Sequence, residues 1–228
     1  MIPFFGESSK IAIMSANMKD WEQLEVKLNR GTLASWFNTC AQEYMQPVYD
    51  RLHVHLREQV VIHADETTAQ VLHEDDKISE SKSYIWLYTS GAFEEHRIVI
   101  YEYQPTRGGY HAAKFLADYH GYVHTDGFSG YNRLKDVTRC GCWAHLRRYM
   151  FEAVPKKTKD TTQSPALTGL AYCDRLFEIE RKLADLSADE RRQNHLELER
   201  PLLDLFWEWV EKQNPLGGSK FAKAVNMR

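Results

Sequence analysis

The sequence predicts an α/β protein, a mixed sheet with helices around it, and three observations carry that prediction. Short β-rich runs recur through the middle of the chain, each bounded by turn residues, which is the pattern of strands. On either side of that block, apolar residues recur at three- and four-residue steps, the period of helices with one buried face. Two of the β-rich runs end in an aspartate, Asp65 and Asp126, as in folds whose chemistry sits at strand ends.

Taken in order, residues 1–17 show no clear period and read as a loose start. Residues 32–57 read as a helix, because Leu33, Trp36, Phe37, Cys40, Tyr44, Val48 and Leu52 fall on one face. Asn29 or Thr32 is the expected cap, and Pro47 is expected to kink or divide the helix because it lacks an amide proton. Residues 60–65 form an apolar run ending in Asp65, followed by a polar loop at 74–77. Residues 83–89 and 97–103 are the next two strands, separated by the Ser90-Gly91 turn. After the break at 105–109 a short helix is expected over 111–119. A fourth strand follows over 121–127, containing Asp126, and a fifth over 137–142. Residues 144–154 turn helical. The lysine-rich stretch 155–165 is a linker. Beyond it Leu176, Ile179, Leu183 and Leu186, then Leu198, Leu202, Phe206 and Trp209, predict a helical hairpin. Ser187-Ala188-Asp189-Glu190 has capping-box spacing.

Composition narrows the classes. The chain has 228 residues, of which 43% are hydrophobic, enough for one catalytic domain with helical additions. No apolar run reaches 18 residues, so no membrane span is expected. Met1-Ile2-Pro3-Phe4-Phe5 lacks the charged start of a secretory signal. Four scattered cysteines do not make a secreted disulfide framework, and a reducing cytoplasm is the expected compartment. The net charge of -3 does not announce a polyanion binder. The local distribution differs: Arg133, Lys135, Arg139, Arg147, Arg148, Lys156, Lys157 and Lys159 are opposed only by Asp136 and Glu152. Such a stretch is either a solvated face or a surface that neutralises phosphates.

The chemistry rests on Asp65 and Asp126. Carboxylates at the ends of adjacent strands converge, and short, rigid aspartates offer the oxygen ligands that hard divalent cations need. A pair of such cations supports in-line phosphoryl displacement. The competing reading is that each is a turn residue, since Asp126-Gly127 is an ordinary turn dipeptide. Cys140, Cys142 and His145 form a C-x-C-x-x-H group. A closed zinc site needs four ligands with wider cysteine spacing, so buried cysteines in a strand are the favoured reading.

Four words decide between these alternatives: His63-Ala64-Asp65-Glu66-Thr67; Tyr103-Gln104-Pro105-Thr106-Arg107 followed by a His-Ala helix; His124-Thr125-Asp126-Gly127-Phe128-Ser129-Gly130-Tyr131-Asn132; and Arg139-Cys140-Gly141-Cys142-Trp143-Ala144-His145-Leu146-Arg147-Arg148. In this order they resemble the insertion-sequence 66 family of bacterial DDE transposases, over residues 21–226. The resemblance implies a ribonuclease H-like catalytic core, with Asp65 and Asp126 as the first two acids of the triad and as ligands of two Mg2+ ions, which Mn2+ can replace. It implies DNA as partner, at element ends and target. Arg107, Arg139, Arg147, Arg148, Lys156 and Lys157 are the expected phosphate contacts, with His145 near the site or the DNA. The expected organisation is an N-terminal, mainly helical segment (1–58), an incomplete catalytic core (59–154), and a linker with a helical insertion (155–228).

The family's third acid lies in a word like Asn-x-x-Glu-Arg-x-x-Arg-Pro, which does not occur here. Glu199-Arg200-Pro201 only echoes it, inside the insertion. The expectation is therefore a C-terminally truncated transposase fragment, inactive alone. The alternative is a non-catalytic DNA-binding or regulatory remnant that forms a homodimer or pairs with full-length enzyme. Glu152 is the weaker candidate for a substitute third acid.

Overall fold

A computed structural model of the chain describes residues 25, 28–71, 82–92, 94–155 and 164–227. The loose start at 1–17, the polar loop at 74–77, and Lys156, Lys157 and Lys159 lie outside these. Contacts divide the chain into two compact units, Met1–Cys140 and Gly141–Arg228.

The first unit begins with helix α1 (Arg30–Thr39), whose cap is Asn29: its side chain accepts from the Thr32 amide at 2.8 Å. A widened, π-helical turn (Cys40–Met45) leads into α2 (Gln46–Arg57), with Pro47 in its first turn. The expected disturbance at Pro47 thus takes the form of a wide turn just before it. A proline there has no amide to donate, so the helix restarts where that donor is not needed.

Five strands follow: β1 (Val61–Gln70), β2 (Lys82–Ser90), β3 (Val99–Gln104), β4 (Tyr122–Thr125) and β5 (Thr138–Gly141). They form one mixed sheet in the order β3-β2-β1-β4-β5. β1, β2 and β3 are an antiparallel meander, and β4 then joins the other edge of β1 in parallel. A parallel neighbour needs a crossover, and helix α3 (Tyr110–Phe115) lies in it.

Alternation along β1 separates the two sheet faces. Ile62 and Ala64 are buried with Trp86 and Tyr88 of β2, Ile100 of β3 and Val123 of β4; Leu56 of α2 and Ala112 and Phe115 of α3 pack on them. Tyr88 stacks on Phe115 with ring centroids 3.7 Å apart. The opposite face carries His63, Asp65 and Thr67, and there Tyr101 and Tyr122 are about half exposed.

One expectation is corrected. Asp65 does not end its strand: β1 runs five residues beyond it, because the hairpin with β2 continues from Asp65↔Leu87 to Gln70↔Lys82. Only the parallel pairing with β4 stops near Asp65.

The second unit is helical. Its elements are α4 (Trp143–Ala153), α5 (Pro165–Leu183), α6 (Ala188–Asn194), a second π-helical turn (His195–Glu199), α7 (Arg200–Glu211) and α8 (Lys220–Val225). Leu146, Tyr149, Met150, Cys173, Phe206, Val210 and Val225 form its core. Gly169 of α5 lies where a Cβ would meet Met150 Sδ at 2.6 Å, so a side chain there would have to displace the end of the Met150 side chain. Ser187 and Glu190 make the predicted capping box, each side chain bonding the other's backbone amide at 3.4 and 3.0 Å.

Candidate active site

Parallel strands hold their residues level. β1 and β4 are paired at Val61↔Tyr122, Ile62↔Val123 and His63↔His124. The two carboxylates predicted from sequence therefore follow a paired position by the same two residues, Asp65 within β1 and Asp126 just beyond β4. Asp65 is exposed, whereas Asp126 is only 8% exposed. Asp126 Oδ1 accepts the Phe128 amide at 2.8 Å, and Asp65 Oδ1 accepts the Glu66 amide at 2.9 Å. These backbone donors orient both side chains.

A brace lies behind the pair. Glu66 points to the buried side of β1, and its side chain has no exposed surface. Tyr131 donates to Glu66 Oε2 at 2.6 Å, and Arg107 donates to Oε1 through Nε and Nη2 at 2.8 and 2.5 Å. The Arg107 guanidinium also sits 4.0 Å over the Phe128 ring, within cation–π range. Burial pushes the Glu66 carboxyl above its ordinary range; Tyr131 and Arg107 oppose the rise, and Asp126 adds to it. Burial, with Glu66 beside it, drives the Tyr131 phenol far upward, so it remains a proton donor. Gly109 keeps the brace tight: a Cβ there would collide with the backbone carbonyl of Gly130, so only glycine lets the Arg107 loop reach the Ser129–Arg133 turn.

On the open face of the sheet, His63 and His124 stack with centroids 4.8 Å apart and an interplanar angle of 24°. Burial lowers the pKa of both; for His63 the charge of His124 adds to the effect. Both rings are therefore neutral near neutral pH, and neither supplies a positive charge to the aspartates. Asp65 and Asp126 present carboxylate oxygens, the donor type that a hard divalent cation takes. Mg2+ is commonly held by one or two protein carboxylates, with water and phosphate oxygens completing the shell.

Among the other predicted residues, Arg107 feels the charge of Asp126 but is already engaged by Glu66 and Phe128. Arg139 lies on β5 and donates to Asn132. The remaining described ones belong to the second unit, on α4. There Arg147 pairs with Asp174 at 2.5 Å, Arg148 lies 5.4 Å from the Tyr149 ring, and Glu152 is exposed. His145 hydrogen-bonds Cys142 and draws that thiol below its usual range, against burial. Burial pushes Cys173 up to about 12, so that thiol is inert.

Sequence reasoning passed over Glu66, Tyr131, His63 and His124 as site residues. Alternation could have found Glu66: it shares parity with Ile62 and Ala64, so it faces the core, and a buried carboxylate demands partners. The repeated His-x-Asp spacing of His63/Asp65 and His124/Asp126 was the available signal for the histidine stack, since residues two apart on a strand share a face.

A family model described as "Transposase IS66 family" matches residues 17–227. Among curated proteins, the uncharacterized protein y4hP of Sinorhizobium fredii is 30% identical over 229 residues, covering 93% of this chain and 41% of that protein. The uncharacterized protein y4qI of the same organism is 24% identical over 216 residues, covering 88% and 39%. The chain thus spans about two fifths of the length of these relatives. No solved structure matches it.

Proposed function

This chain belongs to the IS66 family of transposases, and we propose that within it Asp65 and Asp126 hold divalent cations for cutting and joining DNA strands. The observation that carries this reading is that Asp65 and Asp126 each follow the last β1–β4 pair, His63↔His124, by two residues, Asp65 on β1 and Asp126 just past β4, with a buried Glu66–Arg107–Tyr131 brace behind them. The sheet order β3-β2-β1-β4-β5 supports a ribonuclease H-like core.

Bound Mg2+ or Mn2+ would supply activation of the attacking oxygen and stabilisation of the leaving oxygen in an in-line displacement. The chain's own residues do the rest. Asp65 and Asp126 offer acceptor oxygens, aimed by the Glu66 and Phe128 amides. The neutral His63 and His124 rings leave the negative charge of the pair for the cation. Arg107 is held by Glu66 and Phe128 in one geometry, which suits it to position a phosphate. Arg139, Arg147 and Arg148 supply further phosphate contacts, joined by Lys156 and Lys157. Contacts of this kind fix register on the duplex and make binding salt-dependent.

The test is Mn2+-dependent nicking of supercoiled DNA by the 228-residue chain, alone and extended through a family segment carrying the third acid. The reading expects nicking in the extended form, lost at least a hundredfold in Asp65→Asn and in Asp126→Asn. Nicking that survives both substitutions overturns it. Duplex binding should also weaken with salt, by a logarithmic slope of about -0.9 per phosphate contact. Arg148→Ala should reduce that slope by about 1, read by fluorescence anisotropy.

A further inference from the structure

Within the second unit, three metal-ligating side chains from two segments converge. Glu180 lies on α5, and His195 and Glu199 are four residues apart on the second π-helical turn. Their donor atoms all lie within 4.8 Å of one another. His195 Nε2 is 3.3 Å from Glu180 Oε1 and 3.9 Å from Glu199 Oε2. Ligands sharing one tetrahedral ion at bond lengths of about 2.0–2.2 Å stand roughly 3.3–3.6 Å apart, so little movement would bring these three onto a common centre. Widened helical turns of this type recur at functional sites because they re-aim side chains.

Two atoms of the group are buried and make no hydrogen bond: His195 Nε2 and Glu199 Oε1. The 3.3 Å approach of His195 to Glu180 is an ion-pair distance without hydrogen-bond geometry. Buried polar atoms are nearly always satisfied, so each orphan calls for an account. Glu199 is also held unfavourably: burial raises its carboxyl above the ordinary range, the neighbouring Glu180 raises it further, and His195 only partly offsets this. A cation at the centre of the three would satisfy His195 Nε2 and replace the repulsion between the carboxylates with attraction.

We propose that Glu180, His195 and Glu199 form a binding site for a divalent transition-metal ion, Zn2+ by its ligand chemistry, tying α5 to the His195–Glu199 turn. One imidazole nitrogen with two carboxylate oxygens is a borderline ligand set, suited to Zn2+ over Mg2+ or Ca2+, which prefer oxygen alone. Three protein ligands leave a fourth position for water. The site uses neither Asp65 nor Asp126.

The experiment titrates the whole chain with Zn2+ by calorimetry and with Co2+ by absorption spectroscopy, each in wild type, Glu199→Gln, His195→Gln and an Asp65→Asn/Asp126→Asn double variant. The expected result is saturable uptake of Zn2+ at this site, weakened at least tenfold by Glu199→Gln and by His195→Gln and unchanged in the double variant. Co2+ should show visible ligand-field bands and no thiolate charge-transfer band from this site. Zn2+ should also raise the melting temperature reversibly, and chelation should undo it. Uptake unaffected by the Glu199 and His195 substitutions, or dominated by a thiolate band, overturns the proposal. So does the absence of saturable Zn2+ binding. If either variant fails to fold, Glu180→Gln on the exposed side of the group supplies the same reading.

Discussion

Glu66 and Glu199 are both glutamates turned inward, and their surroundings treat them in opposite ways. Glu66 sits in a sheet, where both oxygens are taken by Tyr131 and Arg107. Glu199 sits on a helical turn with one oxygen buried and without a partner, facing a second glutamate. Both carboxyls are pushed above the ordinary range, and in both burial is the largest cause. Partners are what separate a carboxylate that braces a structure from one that is available to a ligand. Asp65 and Asp126 fall between these extremes: backbone amides orient them, and one of them is open to solvent.

The largest effect that would sharpen this comparison is loss of the brace. Arg107→Ala leaves the Glu66 carboxylate buried with Tyr131 alone. Breaking a fully buried pair costs about 3–5 kcal/mol; Arg107 is half exposed, so about 2 kcal/mol is expected at neutral pH. The folded-state pKa of Glu66 is already raised, so the folded chain binds a proton there more readily than the unfolded chain. The cost of an ionised, unpaired Glu66 should therefore shrink as pH falls through that raised pKa. Urea unfolding at pH 7 and pH 5 reads both effects, and a cost that grows at lower pH would break the comparison. By contrast, Glu199→Gln without metal should leave stability equal or higher, because it removes a repelling charge and no hydrogen bond at Oε1.

A smaller effect, of about 1 kcal/mol, is expected for Ser187→Ala, which removes the capping box before α6; thermal unfolding would show it. The smallest concerns the histidine stack. The pKa values of His63 and His124 are lowered on folding, so the unfolded chain binds more protons between the folded and ordinary values. Their contribution is present above about pH 6.5 and is lost as pH falls toward the lowered values. His124→Phe should flatten that slope while keeping a stacked ring. Unchanged pH dependence in this variant would assign the slope to other groups.

Much of the fold was legible because its signals are short-range. The period of residues 32–57, the cap at Asn29, the disturbance before Pro47 and the Ser187–Glu190 box each depend on a few neighbouring residues. The five strands emerged within one or two residues at most of their ends. The overlong β1 was not legible, since its extension past Asp65 depends on pairing with β2. In the candidate site, the two aspartates were visible as strand-associated carboxylates in family-like words. Their brace was not: Arg107 is 41 residues and Tyr131 65 residues from Glu66.

The sequence by itself therefore determined the kinds of element, their order, and the two carboxylates at the sheet, because periodicity, capping and turn chemistry act within a few residues. Tertiary structure alone decided that Asp65 and Asp126 follow one paired position by the same two residues, that Glu66 is braced, that His63 stacks on His124, and that Glu180 meets His195 and Glu199. Each of these depends on strand register or helix packing, which join residues that no local window contains.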